Sequence, residues 1–303
     1  MHQPPFEAAV IAAFGRHVLV RDAANVVHKA RPFGRGVAIV CGDRVRCERG
    51  GHGEIHVIEA LPRRTALYRS SRRGASEAVC ANLSLLLVVC APRPQTDLFV
   101  VDRYLAAAVS GGIDAKLVAN KSDLGIDAEL QRELGEYARA GFPTLECSVR
   151  ESHGLDALIA TCRDQTAVLV GQSGVGKSSL VRRMVPGAEA ATGELVRETE
   201  GRHTTTASRL YDLPDGGHLI DSPGVRDFAP AIDRLEPRSL GFPDVEQRAS
   251  ECRFADCRHM REPDCAVRAA AESGTLHARR YESYRRLRRL YEELTTARGP
   301  GRG

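Results

Sequence analysis

Gly171-Gln172-Ser173-Gly174-Val175-Gly176-Lys177-Ser178-Ser179 fills the pattern GxxxxGK[ST] at every fixed position. The run before it, Thr166-Ala167-Val168-Leu169-Val170, is short, apolar and rich in β-branched side chains, which predicts a buried strand feeding the loop. Glycines 171, 174 and 176 let the backbone curl so that successive N–H groups point inward, and a helix starting near Lys177 adds the positive end of its dipole. The result is a cradle for the β- and γ-phosphates of a nucleotide, with Lys177 reaching the phosphates and Ser178 ligating magnesium. The chain holds only four lysines, at 29, 116, 121 and 177. A lysine at the one position the pattern demands is therefore informative.

Upstream, from about residue 63, strand and helix patterns alternate, as in a parallel sheet covered by helices. Leu83 to Cys90 reads as a continuous apolar strand, Asp97 to Val109 as a helix ending at Gly111-Gly112, and Ala115 to Ala119 as a second strand. That strand runs into Asn120-Lys121-Ser122-Asp123. The NKxD tetrad is a guanine reader: the Asp123 carboxylate accepts from ring N1–H and the exocyclic amine, two donors that adenine does not present, while Asn120 and Lys121 brace the base and the phosphate loop. A helix from Asp127 to Ala140 and a strand from Thr144 to Cys147 lead to Ser148-Val149-Arg150, which by position is the second base-contacting loop, although Ser-Ala-Lys is the usual triplet there. A short helix near Leu155 to Cys162 precedes the phosphate-loop strand.

Downstream, Pro186-Gly187 ends the helix, and Gly201-Arg202-His203-Thr204-Thr205-Thr206 falls in a loop without periodicity. Thr205 is suited to ligate magnesium only while a γ-phosphate is present, which defines a nucleotide-state switch. A hairpin, Ser208 to Leu213 and His218 to Ile220, delivers Asp221-Ser222-Pro223-Gly224. Asp221 is placed to hold magnesium through water and the Gly224 N–H to meet the γ-phosphate. Val225 stands where many GTPases carry a water-orienting glutamine, so His203 or a partner is expected to complete the site. The base-reading loops precede the phosphate loop, the reverse of the ordinary order. This predicts a circular permutation, with the old termini joined near Arg163 to Gln165.

Residues 1–62 show short β patterns (Ala8 to Val20, Ala24 to Lys29, Gly36 to Val40, Arg44 to Glu48, Glu54 to Leu61) broken by glycine-rich turns, the size of an oligonucleotide-binding (OB) barrel. Arg31, Arg35, Arg44, Arg46 and Arg49 either face phosphates or merely solvate strand faces. Near the other end, Cys252, Cys257, His259 and Cys265 lie within fourteen residues, a ligand set for one closed, structural zinc site. The other cysteines (41, 47, 80, 90, 147, 162) are scattered and read as small buried hydrophobes. Ala278 to Leu294 is a helix with Tyr281, Tyr284, Leu287, Leu290, Tyr291 and Leu294 at helical spacing. Arg279, Arg280, Arg285, Arg286, Arg288 and Arg289 crowd its other faces, for RNA phosphates or as an ordinary solvated surface. At 303 residues, 43% apolar and a formal charge of +4, the chain is globular and mildly basic. It has neither an eighteen-residue apolar run nor a signal-like start, so a cytoplasmic protein with no membrane partner is expected.

The order NKSD, GQSGVGKSS, GRHTTT, DSPGVRDF, with Phe14-Gly15-Arg16-His17, Val101-Asp102-Arg103-Tyr104-Leu105 and the Cys/His group followed by Ala266-Val267, closely resembles the bacterial ribosome small-subunit-dependent GTPase A family. These are circularly permuted GTPases of late small-subunit assembly, and the resemblance spans nearly the whole chain. It implies an α/β protein of three parts: an OB-fold RNA-binding domain (1–62), a circularly permuted P-loop GTPase domain (63–229) and a zinc-binding, mostly helical domain (230–303). It implies GTP or GDP with Mg2+, one structural Zn2+, the small ribosomal subunit and its rRNA as partners, a monomer, and GTP hydrolysis stimulated by the subunit. Departures are Val149-Arg150 in the second base loop and Val181-Arg182 where the family often has Ile-Asn. Two other readings remain open: a nucleotide-switched RNA-binding scaffold with negligible hydrolysis, and an ATPase.

Overall fold

The computed structural model describes residues 4–14, 17–33, 38–51, 53–70, 76–187, 208–222 and 228–297. The first five strands are β1 (Phe6–Ala13), β2 (Val18–Asp22), β3 (Val27–Pro32), β4 (Arg44–Arg49) and β5 (Ile55–Ala60). β1 pairs antiparallel with both β2 and β4, β3 runs parallel to β5, and β4 pairs with β5, so the sheet closes on itself. Val10, Val20, Ala30, Val45 and Cys47 fill its interior with no exposed surface.

Strand count matches expectation, but the strands are drawn differently. The run Ala8 to Val20 is two strands folded back at Phe14 and His17, whose backbones bond at 3.0 Å. β3 starts later than Ala24, because Asp22 Oδ1 accepts from the N–H groups of Ala24 and Val26 and turns residues 23–26 away from the ladder. Of the expected strand Gly36 to Val40, residues 38–40 form no strand and Gly36 and Val37 lie outside the described residues.

A two-stranded hairpin that the alternating pattern did not announce, β6 (Ala66–Ser70) with β7 (Ser76–Ala81), leads into the second sheet. Then follow β8 (Leu85–Cys90), α1 (Leu98–Ser110), β9 (Asp114–Ala119), α2 (Ala128–Arg139), β10 (Thr144–Glu146), α3 (Leu155–Ala160), β11 (Thr166–Val170), α4 (Lys177–Met184), β12 (Ser208–Asp212) and β13 (His218–Asp221). Asp97 and Asp127 cap α1 and α2 by accepting from Phe99 N and Leu130 N. The strands lie in the order β10-β9-β8-β11-β13-β12, parallel except for β12. β8 sits inside and every one of its residues is buried, which explains its unbroken apolar run. Residues 161–165 link α3 to β11 in a tight turn in which Gln165 N donates to Cys162 O at 3.0 Å, the segment where the order of the motifs predicts joined ends. β12 also pairs antiparallel with β1 (Ala12 opposite Arg209), which makes barrel and core one eleven-stranded sheet.

The C-terminal part packs α5 (Pro243–Ala249), α6 (Ala266–Glu272) and α7 (Ala278–Ala297) around Phe242, Val245, Val267, Tyr284 and Leu287. Three of the six arginines on α7 face inward. Arg280, 2% exposed, bonds Asp244 through Nε and Nη2 and Asp102 of α1 through Nη1. Arg279 reaches Asp102 and Glu133, and Arg288 donates to the carbonyls of Pro237 and Arg238. Arg279 and Arg280 fasten α7 to α1 and α2 through Asp102 and Glu133, whereas Arg288 ties α7 to residues 237 and 238 of its own C-terminal part. Arg286 lies over the Phe99 ring at 4.0 Å, and Arg285 and Arg289 pair with Glu282. The six scattered cysteines are all buried, as expected.

Candidate nucleotide site and metal centre

β11 delivers the phosphate loop at the carboxyl ends of the parallel strands, where open α/β sheets bind ligands. Gly171 and Gly176 have φ of 145° and 99°. A Cβ would come within 2.3 Å of Val89 O at Gly171, and within 2.3 Å of Asn120 Nδ2 at Gly176. Both positions thus need glycine for close approach as well as for backbone conformation. α4 begins at Lys177 with no side-chain cap. Lys177 is 6% exposed, and its Nζ donates to Gly171 O at 2.6 Å and Gln172 O at 2.8 Å, curled over its own loop.

The base-reading tetrad meets this loop directly. Asn120, buried at the end of β9, donates from Nδ2 to Val175 O at 2.8 Å and accepts from the Cys147 thiol. Lys121 takes a left-handed φ of 61° and donates from Nζ to Gly174 O at 2.6 Å and Arg93 O at 3.0 Å. Ser122 N donates to Cys147 O, which draws the loop after β10 alongside. There the buried Ser148 donates from Oγ to Asp123 Oδ1 at 2.6 Å, and Arg150 Nη1 stands 4.0 Å from Asp123 Oδ2. Asp123 itself is 8% exposed, which strengthens any hydrogen bond its carboxylate accepts.

Residues 120–123, 148 and 171–179 therefore form one continuous site from segments far apart in sequence. Ser173, Ser178 and Ser179 belong to the same loop and first turn, and Asp221 ends the neighbouring strand β13. His203, Thr205 and Gly224 lie outside the described residues. Two contacts had no sequence signal: the side chain of Gln172, itself an expected loop residue, accepts through Oε1 from the α1 cap residue Asp97 N at 2.9 Å, and Arg93 O receives Lys121. The pattern leaves the residue at 172 free, and a backbone carbonyl carries no motif.

This site lies within the segment, residues 60–230, that matches the family model described as RsgA GTPase. The chain belongs to the RsgA GTPase family. Relatives of the RsgA family named "Small ribosomal subunit biogenesis GTPase RsgA" from Azotobacter vinelandii and Pseudomonas aeruginosa strain LESB58 are 40% and 39% identical to it, with 94% of this chain and 85% of each relative covered. Among solved structures, YjeQ from Thermotoga maritima superposes with a TM-score of 0.74 at 26% identity over 96% of this chain and 99% of that one. YloQ, described as a circularly permuted GTPase, shares the fold with a TM-score of 0.73 at 24% identity over 99% and 98%. The chain is thus an OB-type barrel, a permuted GTPase core and a helical C-terminal part.

In that C-terminal part, Cys252, Cys257, His259 and Cys265 bring their ligand atoms within 4.8 Å of one another. His259 Nδ1 lies 3.4 Å from Cys252 Sγ and 3.5 Å from Cys265 Sγ, and the two sulfurs are 3.9 Å apart. Zinc bonds of about 2.3 Å to sulfur and about 2.0 Å to nitrogen imply donor separations of about 3.5–3.8 Å in a tetrahedron. The donor set fits zinc, with Nδ1 as the imidazole ligand. Glu262 shapes the loop between ligands by accepting from Arg258 N, Met260 N and Arg261 N. Burial pushes its pKa up, but these backbone donors and its own N–H outweigh that and hold it at about 2.

Proposed function

We propose that this chain is a GTPase that binds the small ribosomal subunit and uses GTP hydrolysis to drive or check late maturation of that subunit. The observation that carries the nucleotide part is the pair of bonds from Asn120 and Lys121 to Val175 O and Gly174 O, which couples guanine reading to phosphate binding. The ribosomal part rests on the relatives named for small ribosomal subunit biogenesis. The division is that of an RNA-binding barrel (1–62), a GTPase domain (63–229) and a zinc-binding domain (230–303).

In this reading Asp123 accepts from guanine, Ser148 fixes the carboxylate, and the N–H groups of residues 171–179 (Gly171, Gln172, Ser173, Gly174, Val175, Gly176, Lys177, Ser178, Ser179) cradle the phosphates. Lys177 exchanges the loop carbonyls it now bonds for phosphate oxygens and offsets the charge that develops on the transferred group. Ser178, Thr205 and Asp221 hold magnesium, which supplies further charge neutralisation. Gly224 meets the γ-phosphate, and His203 orients water, since Val225 has no hydrogen-bonding side chain. The four ligands Cys252, Cys257, His259 and Cys265 hold one structural zinc ion. No described helix is long and apolar enough to cross a membrane. In this reading the chain is a monomer that works in the cytoplasm.

The test is phosphate release from GTP with and without purified small ribosomal subunits. Stimulation by the subunit supports enzyme and partner together. Equal turnover in both removes the gating, and no turnover in either favours a nucleotide-switched RNA-binding scaffold.

A further inference from the structure

Asn120 holds the phosphate loop through one end of an amide whose other end also needs a partner. Its Nδ2 donates to Val175 O at 2.8 Å, and its Oδ1, on a side chain only 2% exposed, receives the thiol of Cys147 at 3.6 Å. A single bond would leave the amide free to rock about its terminal torsion, which has a broad minimum. The second bond fixes its plane and satisfies a buried acceptor. Burial pushes the Cys147 thiol up to about 11, so it keeps the proton it donates.

Cys147 is itself held in place. It directly follows β10 and is fully buried; its N–H donates to Ala119 O at 2.9 Å and its O accepts from Ser122 N at 3.1 Å, one contact on each side of Asn120. The thiols of Cys41, Cys90 and Cys162 donate to the backbone carbonyls of Ile11, Val118 and Leu158, acceptors that any strand or helix offers. That of Cys147 meets a side chain of the guanine reader. The next residue, Ser148, bonds Asp123 Oδ1 in the same way. Two successive residues thus orient the two side chains at the ends of the tetrad.

We infer that Cys147 is a positioning residue for guanine nucleotide binding: its S–H sets the Asn120 amide against Val175 O and so joins the base-reading loop to the phosphate loop, acting through Asn120 and not on the nucleotide itself. The inference deepens the reading of this site as a guanine-nucleotide site and rests on it. Had the cysteine served packing alone, in the buried cluster it shares with Val89 and Val118, an apolar side chain of suitable size would replace it without loss.

The test is calorimetric titration of the full chain with GDP. Cys147→Ala and Cys147→Val both remove the donor, and the second keeps apolar bulk. Each is expected to lower affinity about fivefold, while Cys147→Ser, which keeps a donor, stays within about twofold of wild type. In an Asn120→Ala background the donorless substitutions are expected to change affinity by less than about twofold, since the group they act through is gone. Thermal unfolding confirms that each variant folds. The inference is overturned if Cys147→Val binds GDP as wild type does, if Cys147→Ser loses as much as Cys147→Ala, or if the loss persists in full without Asn120. A wild-type chain that does not bind GDP overturns the guanine reading, and this inference with it.

Discussion

Asn120 Nδ2 donates to Val175 O at 2.8 Å across 55 residues of sequence, and a Cβ on the intervening Gly176 would fall within 2.3 Å of that same nitrogen. The loop of residues 120–123 and the phosphate loop are thereby held together. Asn120→Ala leaves the Val175 carbonyl without its buried partner, at a cost of about 1–3 kcal/mol. Calorimetric titration with GDP is expected to show a roughly 10- to 100-fold loss of affinity, with the zinc content unchanged.

In the proposed function Asp123 decides the base: guanine would donate two hydrogen bonds to its carboxylate, and charge-assisted bonds are each worth about 1.5–3 kcal/mol. Asp123→Asn puts a donor where the exocyclic amine of guanine also donates. Competition titrations should show GTP affinity falling by at least about 100-fold and xanthosine triphosphate, with a carbonyl at that position, rising. Retained GTP preference would remove Asp123 as the reader.

Lys177 is the charge closest to the transferring phosphoryl group in the proposed mechanism. Lys177→Ala is expected to lower the hydrolysis rate by about 100-fold or more, the effect of removing one pre-positioned charge-stabilising group. Its stability should change far less, because the ammonium donates to Gly171 O and Gln172 O, carbonyls of its own loop. Single-turnover phosphate release and thermal unfolding separate the two effects.

Cys252, His259 and Cys265 of the C-terminal part stand at separations close to those of a tetrahedral zinc site and Cys257 lies within 4.8 Å of them, so one zinc per chain is expected by elemental analysis. Cys257→Ser should bring that ratio close to zero and lower the melting temperature, since a structural zinc site contributes folding free energy directly. Glu262→Ala, which removes the acceptor for three loop N–H groups, should weaken zinc retention against a chelator while leaving GDP affinity intact.

Arg280 and Arg289 lie on one helix and give opposite expectations. Arg280→Ala removes both bonds to Asp244 and leaves Asp102, buried, with Arg279 as its remaining ion-pair partner, and should destabilise the chain by about 3–5 kcal/mol in urea unfolding. Arg289→Ala removes an exposed charge 3.8 Å from Glu282 and should cost at most about 1 kcal/mol.

Much of this was legible in the sequence because it is local. A phosphate cradle needs glycine at fixed offsets, a closed zinc site needs four soft or imidazole donors within a short span, and a strand buried on both faces must be apolar throughout, as Leu85–Cys90 is. The order of these signals also disclosed the permutation, since chain order is what a sequence records. Tertiary structure decided what depends on neighbours remote in sequence. Six arginines on α7 look alike in a helical projection, yet Asp102, Glu133 and Asp244, supplied by three other helices, draw Arg279 and Arg280 inward. Likewise the β6–β7 hairpin and the join of β1 to β12 arise from backbone groups that every residue possesses. Composition cannot rank such partners, because only the closed fold determines which N–H meets which carbonyl.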